Sequence, residues 1–129
     1  MGISRSQFWK TSVNGKAMVA MLAARGDVEI VRDVCEWLVT RHRNDLVNEA
    51  RAKGANEEQA TLAAKNNTAD LMTMAESIND GNATAASATV IDRCFHRHYM
   101  AGPTHYASAM KWFADQLRTK VQFDKDELG

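Results

Sequence analysis

A chain of 129 residues has room for one hydrophobic core and is too short for two domains of ordinary size. Sixteen Lys and Arg balance sixteen Asp and Glu, which excludes a globally basic surface for nucleic acid or an anionic membrane, while 45% hydrophobic and 25% charged residues exclude wholesale disorder. Two cysteines are too few for a disulfide framework, and no stretch approaches the ~18 apolar residues of a membrane span.

The segment from Met1 to Lys10 lacks the apolar run of a signal peptide. Met1-Gly2 with Ser6 satisfies the loose myristoylation pattern, which is too short to carry an argument. From Ser4 to Arg25, Phe8, Trp9, Val13, Met18, Val19 and Leu22 recur near helical spacing, and Asn14-Gly15 predicts two short helices or one kinked helix. Asp27 reads as the N-cap of the next helix, with Val31, Val34, Cys35, Leu38, His42, Leu46 and Val47 three and four apart on one face. That helix is expected to end before Gly54, with Arg51 and Lys53 in its last turn.

Asn56 followed by Glu57, Glu58 and Gln59 predicts a third helical stretch, alanine-rich and running to Ile78, with a weak point at Asn66-Asn67-Thr68. Asn79-Asp80-Gly81-Asn82 is a turn cluster. A fourth helix from Thr84 to Met100 is expected to put Val90, Ile91, Cys94, Phe95 and His98 on one face and to end at Gly102-Pro103. The fifth starts at Thr104 as cap and runs to about Val121, burying Tyr106, Met110, Phe113 and Leu117. Phe123 is expected to pack after it, and residues 124–129 read as a polar, frayed tail. The fold expected is therefore all-α: a compact bundle of about five helices in one domain, residues 1–123, without internal repeats.

Three further strings are not expected to carry a function in this setting. Asn66-Asn67-Thr68 and Asn82-Ala83-Thr84 are N-glycosylation sequons only in a secreted chain, and the retention-like string from Lys125 to Leu128 is followed by Gly129.

Chemically capable side chains concentrate in Asp92-Arg93-Cys94-Phe95-His96-Arg97-His98, with His105 beyond the turn. Cys94 and His98, one helical turn apart, have the spacing of a two-ligand chelate, with His105, or Cys35 and His42 from the second helix, as further metal candidates. The same pair suits thiol chemistry, since a protonated His98 would depress the Cys94 pKa. Against both, the periodicity points Cys94 inward, and neither CxxC, HExxH, a glycine-rich phosphate loop nor GxSxG occurs. No metal or other cofactor is assigned, and the reading leans away from an enzyme.

Leu46 to Lys65 fails as a DNA-binding helix-turn-helix, because Glu57 and Glu58 would open the recognition helix against a negative groove. Charge is nonetheless uneven. Residues 1–53 hold nine Lys and Arg against six Asp and Glu, and the remainder holds seven against ten, so a net of +3 faces a net of −3. Arg5, Lys10, Lys16, Arg41 and Arg43 form the candidate basic patch of an alternative, nucleic-acid-binding reading.

Aromatic residues outside the narrow core stripes suggest an interface. The favoured reading is a cytoplasmic protein-interaction module that self-associates, a regulator, adaptor or inhibitor of a larger machine such as phage or mobile elements encode. Phe8, Trp9, Lys10, Trp37, Arg41 and Arg43 are its candidate interaction residues, its partner is a protein, and no membrane is involved.

Overall fold

The computed structural model describes residues 3–124 and 127–128. The myristoylation pattern at Met1-Gly2, most of the retention-like string and part of the tail lie outside these residues. Seven α-helices and no strand are found among the described residues: α1 (Arg5–Thr11), α2 (Gly15–Arg25), α3 (Val28–Ala52), α4 (Glu57–Glu76), α5 (Ala83–Cys94), α6 (His96–Ala101) and α7 (Pro103–Lys120). The all-α class holds, and the seven arise because two of the five expected stretches are each divided.

The first division is where Asn14-Gly15 placed it. The Asn14 side chain accepts the Ala17 N–H as the cap of α2, just as Ser4 accepts that of Gln7 for α1 and Asn56 that of Gln59 for α4. The second falls at Phe95, whose φ of −105° and ψ of 10° end α5 before α6 begins. The expected single face through His98 is thereby corrected: Val90, Ile91 and Phe95 are buried, whereas His98 is exposed on α6, a six-residue helix that buries none of its side chains.

Asn66-Asn67-Thr68 does not break α4. Thr68 is buried, its hydroxyl donates to the Ala64 carbonyl at 2.8 Å, and its oxygen accepts from Arg43 Nε at 2.8 Å, so the polar group that weakens an isolated helix is satisfied inside this one. Gly102, at φ 121°, caps α7 with Pro103 in its first turn, two residues ahead of the expected cap Thr104. Asp27 is the N-cap of α3, but its side chain makes no capping bond and lies 3.2 Å from Arg25.

The long α3 is the central element. It packs along α4 and α5 and also touches α2, while α2 lies against α7 and α5. Val31, Val34, Cys35, Leu38 and Val39 from α3 meet Met18, Val19 and Leu22 from α2, Val90 and Ile91 from α5, and Met110, Phe113 and Leu117 from α7 in one core. The alanine stripe of α4, Ala60, Ala64 and Ala75, is buried, consistent with close helix approach. Just past the end of α4, the Arg32 guanidinium donates from Nε and Nη2 to the Ile78 carbonyl, tying the α4–α5 connection to α3.

Phe123 packs edge-on to Trp9, with ring centroids 5.2 Å apart. Within the segment read as a frayed tail, Leu128 is buried in the same cluster and the Glu127 carbonyl accepts from Arg25. Arg118 ties α7 to the α1–α2 junction by donating to the Trp9 and Ser12 carbonyls.

A candidate ligand groove between α3, α5, α6 and α7

The second half of α3 continues past the end of its buried stripe, and α6 turns away from α5 at Phe95. Between them and α7 lies an open groove of about 500 Å³, within the size range of ligand and side-chain pockets. Its floor is Leu38, Phe95 and Ala109, all buried, and Trp112 forms a half-buried wall. Arg41, His42 and Asp45 come from α3, Cys94 from α5, His98 from α6, and His105 and Ser108 from α7.

The helical period explains this convergence. Leu38, His42 and Asp45 are three or four residues apart on α3, as are His105, Ser108, Ala109 and Trp112 on α7, so each helix offers one stripe to the groove. The Arg41 guanidinium sits over the Trp112 ring at 4.4 Å from its centroid, and Trp112 stacks on Trp37 at 6.0 Å and 20°. Lys120 Nζ lies 4.6 Å from the Trp37 centroid, so each indole of the pair carries a cation. Arg41 forms no ion pair among the described residues.

The candidate interaction residues are thus dispersed. Trp9 is a core residue, Phe8 packs against the core, and Lys10 is exposed on α1. Trp37 is half-buried in its stack. Arg41 and Arg43, two apart on α3, leave the helix in different directions, one to Trp112 of α7 and the other to Thr68 of α4. The candidate basic patch is divided in the same way, and Lys16 pairs with Asp92 at 2.7 Å. Of the residues chosen from the sequence for interaction, only Arg41 reaches the groove. Trp112, which adjoins Phe113 and so falls outside a narrow core stripe, carried the general aromatic signal for an interface, whereas Ser108 lacked any signal beyond helical spacing.

The chemically capable cluster fares differently. Cys94, His98 and His105, together with His42, line the one groove, each from a different helix, whereas Cys35 is buried and is not among the lining residues. No group of three or more His, Cys, Asp or Glu side chains converges as a metal ligand set among the described residues. The thiol expectation is corrected: burial pushes the Cys94 thiol up to about 12, against a smaller opposing effect of Arg93. Cys35 is also pushed up to about 12, first by burial and then by the nearby Cys94 and Glu36. His42 is lowered by burial and then by Arg97, with Asp45 opposing.

A thiol held in this way is a poor nucleophile near neutrality. Both cysteines of the folded chain are therefore expected to react with iodoacetamide at about pH 8 a hundredfold or more slowly than free cysteine, and rapid labelling of Cys94 would contradict its assigned environment. The folded chain also retains protons that unfolded thiols release above their ordinary value of 9.0. The stability this contributes is full below that pH and declines as pH rises from 9.0 towards about 12.

No helix among the described residues is long and apolar enough to cross a membrane. The chain matches no family model, and neither a curated protein nor a solved structure matches it significantly.

Proposed function

We propose that this chain is a non-enzymatic binding module, acting as a regulator, adaptor or inhibitor, and that the groove between α3, α5, α6 and α7 receives a side chain of a protein partner. The observation that carries the reading is the apolar floor of Leu38, Phe95 and Ala109 beside the Trp112 wall, open to solvent and rimmed by Arg41, Asp45, His98 and His105. An aromatic anchor in a concave site with polar rim groups is the arrangement that concentrates binding energy at protein interfaces. Free thiols at Cys35 and Cys94 suit a reducing cytoplasm.

A photo-crosslinker, p-benzoylphenylalanine, placed at exposed Ser108 in the native host tests this. One discrete adduct is expected from Ser108, absent when the same probe sits at exposed Leu62 on α4 and lost when Arg41→Glu is added. No adduct, or equal labelling from both positions, would remove the groove as the binding surface.

A further inference from the structure

Three of the four histidines of the chain line this one groove, and they come from three different helices: His42 from α3, His98 from α6 and His105 from α7. A shared core position does not account for them, since His98 and His105 are exposed and only His42 is half-buried. Nor do they converge with other ligand types on a metal position. They share the rim of an apolar cavity whose remaining cation, Arg41, is held over Trp112 with no carboxylate paired to it among the described residues.

The charges facing these rings decide what the rim selects. From α3, Arg41 and Asp45 offset one another. From α5, Arg93 adds a positive charge and Cys94 stays a thiol. From α6, Arg97 stands near His42 but is held by Glu49 of α3 in a two-point ion pair. The net charge facing the rings is thus weakly positive, and each imidazole brings to the rim an N–H that can donate to a carboxylate.

We propose that the occupant of the groove is an acidic segment of the protein partner, an apolar or aromatic side chain seated on Phe95 and Trp112 with flanking carboxylates on Arg41, His98 and His105. This rests on the groove being the partner-binding surface. The His42 ring contributes least, because its burial and Arg97 disfavour its charged form. The exposed pair on α6 and α7 therefore supplies most of the polar contacts, at a site where Asp45 is the opposing charge.

The test uses three capped hexapeptides with Phe-Leu at the centre, flanked by Glu, by Gln or by Lys, titrated into the full chain and followed through the indole N–H resonance of Trp112. Free phenylacetate serves as a fourth probe. The Glu peptide is expected to bind about tenfold more tightly than the Gln peptide at about pH 6, with the Lys peptide weakest. His98→Ala with His105→Ala changes exposed side chains only and is expected to weaken the Glu peptide about threefold while leaving thermal unfolding unchanged.

Equal binding of the three peptides would overturn the acidic assignment while leaving the groove as a binding surface. Phenylacetate binding as tightly as the Glu peptide would overturn the peptide assignment in favour of a small free acid. If no probe shifts Trp112 while the crosslink from Ser108 still forms, the acidic assignment falls alone. If the crosslink is missing as well, the binding surface falls with it.

Discussion

Phe113→Ala is expected to lower the unfolding free energy by about 3–5 kcal/mol, the cost of emptying a fully buried aromatic site. Phe113 has no exposed surface, and its ring lies 5.3 Å from that of Phe95 and 6.5 Å from that of Trp37. It therefore joins the core of α2 and α7 to the floor and wall of the groove. Collapse around the deletion is opposed because the neighbours are themselves held: Phe95 ends α5, and Trp37 is stacked on Trp112. Urea denaturation followed by circular dichroism measures the loss. A cost below about 1 kcal/mol would mean that the site closes freely and that Phe113 does not organise the core in the way argued. The same substitution is expected to weaken binding at the groove, since it removes support from beneath Phe95.

Gly15→Ala is the second large effect, expected to cost about 2–3 kcal/mol through overpacking. An added Cβ would stand 2.3 Å from Phe113 Cδ2, 2.5 Å from Cγ and 2.7 Å from Cβ. Neither partner has room to retreat, because Gly15 begins α2 and Phe113 sits in the interior. In an exposed first turn the same change would favour the helix. The decisive measurement is a double-mutant cycle: with Phe113→Ala already present, adding Gly15→Ala should cost at least about 1 kcal/mol less than it does alone. Strict additivity would show that the glycine is required for some other reason than the close approach of the ring.

These two residues also mark how far the sequence could be read. Asn14-Gly15 was legible as a break, and the break is real, but the glycine is there because a phenylalanine from α7 touches its backbone, a contact across nearly the whole chain. The stripe of α3 from Val31 to Leu38 was legible because burial on one side of a helix imposes a spacing of three and four, and buried Val39 widens it beyond what was read. Phe95 was legible as a core residue and not as a helix terminus: no Gly or Pro marks the position, and the division between α5 and α6 is visible only in the backbone. The Thr68 weak point resolves through Arg43, an interaction between different helices.

The groove was half legible. Cys94, His98 and His105 stood out because those residue types cluster in the chain, and the structure does place them together. The partial burial of Cys94, which sets the chemistry of its thiol, was suggested by periodicity, whereas the expected influence of His98 on Cys94 was not met. Arg41 over Trp112 is a pairing of positions on α3 and α7, and no local pattern announces it. The wide spread of Phe8, Trp9 and Trp37 into packing roles shows why an aromatic outside a narrow stripe is an ambiguous sign in a small curved bundle.

The absence of buried side chains on α6 gives the groove unequal walls. Elements with little buried apolar area open at a small fraction of the global unfolding free energy, and α6 is of this kind, whereas α3 and α7 are anchored in the interior. His98 therefore rides on a compliant hinge-like segment opposite two stiff jaws. A partner side chain of the kind proposed would meet compliance on one side, and Leu38 and Trp112 on the stiff sides would set which anchors fit.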